Sequence, residues 1–181
     1  MKIYDNFLEE KDFKDLQEFI HGDLFPWYFR QGTVYPTDDP DDWRFSHLVY
    51  STGNGIVSPL QYDLWNLIAP VINKINVGAV TRVKLNLDMK TKKHVKTEWH
   101  VDNTWANSVN AYTGIFYLND NNGYTEFRSG EKVKSTSNKL VLFRANEEHR
   151  GVTQTDVTRR IVLNLNMMIG DGNSYHNNST G

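Results

Sequence analysis

The sequence predicts a mainly β protein, a jelly roll packed against N-terminal helices, and three observations carry that expectation. From about residue 79 apolar residues recur at every second position, and they continue to do so through residue 168, the period of half-buried strands. Ahead of that stretch lie two segments whose apolar residues fall at helical spacing. The strands then follow one another through polar and Gly/Asn turns. There is no regular β–α alternation, which excludes a doubly wound parallel sheet and leaves a β-sandwich or jelly roll. The 181 residues suit one domain: a helical support region over 1–78, a jelly-roll core over 79–170 and a polar tail over 171–181.

In chain order, Ile3 and Tyr4 read as a short strand. An amphipathic helix follows, with Phe13, Leu16, Phe19 and Ile20 on one stripe and Lys11, Asp12, Lys14 and Asp15 facing away. Trp27–Phe29 is a strand candidate. The acidic run Asp38, Asp39, Pro40, Asp41, Asp42 reads as a solvated loop, because its spacing does not match a calcium loop. Phe45–Tyr50 is a further strand. A second helix is expected to start near Ser58-Pro59 and to present Leu60, Leu64, Leu67, Ile68, Val71, Ile72 and Ile75, with Pro70 kinking or dividing it. Strands are then expected over 80–89, 97–102, 111–118, 124–127, 131–134, 139–144 and 159–168. Asp120-Asn121-Asn122-Gly123 and Arg128-Ser129-Gly130 mark two of the turns between them.

Composition narrows the chemistry. The chain has no cysteine, so disulfides, thiolate metal sites and cysteine nucleophiles are excluded. A net charge of −2 argues against a nucleic-acid partner held mainly by its phosphates. No apolar run approaches the length of a membrane span or signal peptide. The expectation is a soluble, cytoplasmic protein whose metal ligands, if any, are nitrogen and oxygen.

Two of the six histidines are followed at +2 by aspartate, His21 and His100, and chance alone provides about one such match. Context separates them. On a strand, residues i and i+2 share a face, so His100 and Asp102 can reach one metal ion. His21 closes a helix ahead of a glycine, where capping and the helix dipole account for it. His149, after the apolar run Leu140–Phe143, is the candidate third ligand. Two histidines and one carboxylate make the facial set of non-haem Fe(II) oxygenases, with positions left open.

Ten residues beyond His149, Arg159 opens the last strand. It is in phase with Ile161, Leu163 and Leu165, the apolar face, whereas Arg160 is in phase with Asn164 and Asn166. An arginine turned into a β core needs an anion, since an unpaired buried charge is very costly. A ligand carboxylate meets that need, as does an internal salt bridge.

Together these segments resemble the Fe(II)/2-oxoglutarate-dependent dioxygenases, in particular the prolyl-4-hydroxylase-like branch with its small phage and bacterial members. The likeness spans about residues 80–168: Lys84-Leu85-Asn86-Leu87, Trp99-His100-Val101-Asp102-Asn103, Phe116-Tyr117-Leu118-Asn119, Gly123-Tyr124-Thr125-Glu126-Phe127, His149-Arg150-Gly151-Val152 and Thr158-Arg159. Tyr4-Asp5-Asn6-Phe7-Leu8 matches the usual lead into the family's first helix. The turn at Gly123-Tyr124 departs from the pattern, since relatives commonly carry two glycines there.

The resemblance implies a double-stranded β-helix fold, with Fe(II) on His100, Asp102 and His149, and with 2-oxoglutarate and O2 as cosubstrates. It implies Arg159 on the distal carboxylate of 2-oxoglutarate and Tyr117 hydrogen-bonded to the same group. Asn86, the polar member of a strand whose other face carries Val83, Leu85 and Leu87, is a further cofactor-site candidate. The implied reaction is hydroxylation of a substrate C–H bond with release of succinate and CO2. Peptidyl proline or a small molecule is the favoured substrate. A non-catalytic β-sandwich binding module and a cupin-like metal enzyme without 2-oxoglutarate are the competing readings. Around the site, Lys90–Lys96 reads as a solvated loop or a basic lip. Trp99 is expected in the core, and Trp105 at the substrate mouth.

Overall fold

The computed structural model describes residues 1–102 and 110–170. Trp105 and the tail 171–181 lie outside the described residues. The elements in chain order are β1 (Lys2–Tyr4), α1 (Glu10–His21), β2 (Tyr28–Gln31), β3 (Trp43–Ser51), β4 (Gly55–Ile56), α2 (Gln61–Ile75), β5 (Ala79–Met89), β6 (Ala111–Tyr117), β7 (Tyr124–Phe127), β8 (Lys132–Lys134), β9 (Lys139–Arg144), β10 (His149–Val152) and β11 (Arg159–Met168).

Both helices form where the apolar spacing puts them. In α1, Phe13, Leu16 and Ile20 are buried, and in α2 Leu64, Ile68, Val71 and Ile75 are buried, each set at steps of three and four that make one stripe. The start of α2 falls later than expected. Ser58 instead accepts the Leu60 N–H at 3.1 Å and meets His47 Nε2 at 2.7 Å, and helical geometry begins at Gln61. Pro70 does not divide the helix, which runs from Gln61 to Ile75. Proline removes one backbone donor there, but Ile68, Val71 and Ile75 on either side are fully or almost fully buried, and that packing holds the turn. Asn76 ends the helix in the left-handed region at φ 58°, a conformation asparagine tolerates.

The strands make two antiparallel sheets. The larger runs β1-β9-β6-β11-β5-β3-β2, with β4 paired to β3, and the smaller runs β10-β7-β8. Two separate cores follow. Leu16, Ile20, Leu64 and Ile68 pack with Val83, Leu85, Phe116, Ile161, Leu163 and Leu165 between the helices and one face of the large sheet. Phe13 meets Phe116 edge to face at 6.0 Å between centroids. The other face of the large sheet turns toward the small one, where Ile115, Tyr117, Phe127, Val133, Val141, Phe143 and Val162 pack together.

The expected strand over 97–102 does not form as a ladder. It touches β10 through two isolated bridges, Lys96↔Val152 and His100↔His149. Between the two bridges the Gly151 N–H is taken by the Thr97 hydroxyl at 3.1 Å rather than by a backbone carbonyl, which interrupts the ladder. β10 itself, His-Arg-Gly-Val, has no alternating pattern and was not legible as a strand. The acidic loop behaves as a solvated turn, Asp42 accepting the Thr33 N–H at 3.0 Å and Asp39 accepting that of Asp41 at 2.9 Å.

Candidate functional site

His100 and His149 meet because they are directly opposed across an antiparallel bridge. Each donates its N–H to the other's carbonyl, at 3.1 and 3.0 Å, and opposed residues project to the same side. Their ring centroids are 4.6 Å apart. Asp102, two residues beyond His100, joins them, with Oδ1 3.7 Å from His100 Nε2 and Oδ2 3.4 Å from His149 Nε2. The three ligand atoms all lie within 4.8 Å of one another. The Phe143 ring meets the His149 ring edge to face at 4.8 Å between centroids, and the Phe127 ring lies tilted against it at 6.1 Å.

The surroundings prepare these groups as ligands. His100 Nδ1 lies 2.9 Å from the Glu98 carbonyl and His149 Nδ1 lies 3.1 Å from the Glu147 carbonyl. A carbonyl only accepts, so Nδ1 donates to it and Nε2 is the nitrogen turned to Asp102, where a metal would displace any proton it carries. Burial pushes the Asp102 carboxyl up, but the hydrogen bond and charge of His149, with the charges of Arg82 and His100, overcome this and hold it well below the usual carboxylate range. Asn164 donates to Asp102 Oδ2 at 2.6 Å and Arg82 to Oδ1 at 3.3 Å. Burial lowers the pKa of His100; for His149 burial is outweighed by the hydrogen bond to Asp102, and its pKa is raised. Two imidazole nitrogens and an ionised carboxylate, each oriented by a further hydrogen bond, fit an Fe(II) ion.

The same cavity continues from the triad to a second polar cluster. Its lining includes His100, Asp102 and His149 together with Arg44, Arg82, Lys84, Asn86, Arg160 and Asn164. At the far end Asp88 stands between two guanidiniums, accepting from Arg44 at 2.8 Å and from Arg160 at 3.2 Å. Arg160 also donates to Ser135 Oγ at 2.8 Å and lies over the Tyr117 ring at 5.7 Å. One carboxylate between two guanidiniums leaves a positive charge uncompensated at that buried end. Gly123 makes room for it, since a Cβ there would come within 2.9 Å of Arg160 Cδ and 2.8 Å of the Val152 carbonyl.

His100, Asp102 and His149 are thus brought together, and Asn86 lines the same cavity with its Oδ1 buried and unbonded. Arg159 is not brought there. It sits on the opposite face of β11, where its guanidinium lies 3.4 Å from the Nδ1 and the carbonyl of His21, beside Trp27, Phe45, Leu87 and Met89. Arg159 is in phase with Ile161, Leu163 and Leu165, but that apolar face packs under the helices rather than toward His100, Asp102 and His149. Arg160, one residue on, faces the cavity and is only 3% exposed. Tyr117 is fully buried beneath the cavity, its hydroxyl bonded to Thr125 Oγ1 at 2.7 Å. Trp99 is not in either core; it is clamped between Arg150 and Arg128, at 4.1 and 4.5 Å from its ring. Of the basic segment, Lys96 pairs with Glu126 at 3.3 Å while Lys90, Lys92 and Lys93 are exposed.

Arg160, Asn164, Arg82 and Lys84 line the cavity without being among the residues the sequence proposes for the site. A signal for them exists. Arg160, Asn164 and Asn166 in β11 and Arg82, Lys84, Asn86 and Asp88 in β5 are polar stripes of period two within long, otherwise apolar strands. The ladder register sets them side by side: Arg160↔Asp88, Asn164↔Lys84, Asn166↔Arg82.

No family model matches the sequence, and no curated protein does. Solved structures do. The chain superposes on the viral collagen prolyl hydroxylase of Paramecium Bursaria Chlorella virus-1, in its 2-oxoglutarate complex, with TM-score 0.57 and 13% identity over 93% of this chain and 95% of that one. A Trichoplax adhaerens prolyl hydroxylase bound to a hypoxia inducible factor peptide gives TM-score 0.61 and 13% identity over 92% and 83%. The carbocyclase SnoK of nogalamycin biosynthesis, a non-heme alpha ketoglutarate dependent enzyme, gives 0.63 and 10% over 92% and 78%. The fold is that of the 2-oxoglutarate/Fe(II) oxygenases, prolyl hydroxylases among them, and at this identity the likeness is one of fold.

Proposed function

We propose that the chain is an Fe(II)- and 2-oxoglutarate-dependent oxygenase that hydroxylates a substrate C–H bond with O2 and releases succinate and CO2. One observation carries the reading: a two-histidine, one-carboxylate cluster and a buried arginine with surplus positive charge face each other along a single cavity. Asn164, which bonds Asp102, and Arg160 are four residues apart on β11. At about 3.3 Å per residue that is roughly 13 Å along the strand, room for a short dicarboxylate between them.

When bound, Fe(II) supplies the redox chemistry and the attachment point for 2-oxoglutarate. The protein's residues have three tasks. His100, Asp102 and His149 hold the ion on one side, with Asn164 and Arg82 fixing the carboxylate's orientation. Arg160, steered by Ser135 and Asp88, holds the distal carboxylate of 2-oxoglutarate, in the role the sequence had suggested for Arg159. The Tyr117 ring, held by its hydrogen bond to Thr125, lies under the guanidinium of that arginine, and Asn86 lines the wall between the two ends. The buried apolar members of the lining, Ile115 and Val162, exclude water from the middle of the site. Two of the compared structures are prolyl hydroxylases, and peptidyl proline is the substrate from which screening starts.

The test is anaerobic titration of metal-free protein with Fe(II) and then 2-oxoglutarate, following the visible charge-transfer band of the chelate. The band is expected in the wild type and in Arg159→Met, absent in His100→Ala, and shifted to much higher 2-oxoglutarate concentration in Arg160→Met. Iron binding without any band in the wild type favours a metal enzyme that does not use 2-oxoglutarate; binding of neither overturns the reading.

A further inference from the structure

The cavity holds more positive charge than the metal and cosubstrate account for. Arg44, Arg82, Lys84 and Arg160 all line it, and the carboxylates that answer them are Asp102 in its wall and Asp88 behind Arg44 and Arg160. Asp88 is committed to Arg44 and Arg160 at the far end. Asp102 is the counter-charge of Arg82, and it is also the carboxylate that a divalent metal takes up. With the metal in place, Arg82 loses most of that compensation. Lys84 makes no hydrogen bond or ion pair among the described residues, and the only carboxylate whose charge favours its ammonium is the same Asp102. Burial and the neighbouring guanidiniums already make its charge costly there. The Nε of Arg82 is buried without a partner. These two side chains project from alternate positions of β5 onto one face, and Asn164, the residue paired with Lys84, is itself bonded to Asp102. Two cations that share one carboxylate, itself taken up by the metal, make a receptor for an anion at that end of the cavity.

Resting on the oxygenase reading, we propose that the substrate carries an acidic group, a carboxylate or a phosphate, and that Lys84 and Arg82 seat this group beside the metal. This subsite is separate from the Arg160 end that takes the cosubstrate. It orients the substrate by its anion and presents a nearby C–H bond to the reactive centre, a positioning effect of the kind that binding remote from the reacting atom provides. A proline-containing peptide meets the requirement only when an acidic side chain or a free carboxylate lies close to the proline.

The experiment is an NMR titration of 15N-labelled full-length protein with acetate in one arm and inorganic phosphate in the other, read at the Arg82 Nε–H and at the amides of Lys84 and Asn164. Each arm is run on metal-free protein and again on protein loaded with Zn(II) and saturating 2-oxoglutarate. Saturable shifts at Arg82 and Lys84 are expected in both states, tighter with metal and 2-oxoglutarate present. The preferred probe identifies the acid as carboxylate or phosphate. Lys84→Met and Arg82→Gln are each expected to weaken the anion about tenfold, the usual scale for loss of one charge-assisted contact, while 2-oxoglutarate affinity in Lys84→Met stays within about threefold of wild type. The proposal is overturned if neither anion shifts these resonances in either state, or if Lys84→Met loses 2-oxoglutarate as severely as Arg160→Met. A wild type that binds no 2-oxoglutarate removes the oxygenase reading instead, and the metal-free arm still decides whether the anion subsite exists.

Discussion

β11 shows two unlike faces of one strand. On one side Ile161, Leu163 and Leu165 are sealed under α1 and α2; on the other Arg160, Asn164 and Asn166 are just as inaccessible but point between the sheets. The same division holds in β5, with Val83, Leu85 and Leu87 on one face and Arg82, Lys84, Asn86 and Asp88 on the other. Burial alone therefore does not distinguish scaffold from site in this molecule. Chemistry does: the helix-covered face needs nothing but apolar contact, whereas each polar group on the other face has to be answered by another polar group or a ligand.

Several substitutions break or sharpen that contrast. The largest functional loss is expected from His149→Ala, which removes one of the three proposed metal ligands. Metal affinity should fall by more than the roughly 10–100-fold typical of residues that merely orient ligands, as followed by Co(II) absorption. Adjacent residues of β11 then separate the faces. Leu163→Ala is expected to destabilise the fold by about 2–5 kcal/mol in denaturant unfolding, with the metal affinity of the folded protein unchanged. Asn164→Ala is expected to reverse the pattern, costing about 10–100-fold in metal affinity with a much smaller change in the unfolding midpoint. Equal effects of the two substitutions on both measurements would falsify the division of labour.

The smallest effect concerns pH. Burial, followed by the charges of Arg82 and Arg44, lowers the Lys84 ammonium to about 8, from an ordinary 10.5. Between those values the unfolded chain binds a proton that the folded chain has released, so this group makes stability rise with pH across that window. Below about 8 the lysine is charged in both states and its burial cost is fully present. Metal-free Lys84→Met should lack this rise in a denaturant midpoint measured across the same window. Anion binding by the wild type should weaken as pH passes above about 8, because the receptor loses its charge.

Much of this was legible in the chain. The two helices followed from Phe13, Leu16 and Ile20 and from Leu64, Ile68, Val71 and Ile75, because burial on one stripe needs no knowledge of the partner. The alternation in β5, β6, β9 and β11 was equally plain. His100 and Asp102 could be paired by strand period, and His149 was reached by chemistry and distance from them. The arginine was misplaced for a specific reason. A period of two sorts a strand into two faces but does not say what covers each, and the apolar face was taken for the one turned toward the ligand. A jelly roll backed by helices has two interiors, one between helices and sheet and one between the sheets. Tyr117 illustrates the same limit, being inward as expected yet bonded to Thr125 rather than exposed in the cavity.

By itself the sequence determined both helices, the long strands, the mainly β architecture and the identity of the three metal-ligating candidates, because these depend on local periodicity and on residue chemistry. The tertiary structure alone decided that His100 and His149 face each other across a four-residue strand. It also decided that Arg160 rather than Arg159 enters the cavity, and that Lys84 and Arg82 stand together without a full complement of carboxylates. These are properties of pairing between segments far apart in the chain. Register and the choice of covering layer emerge only when the sheets and helices close on one another.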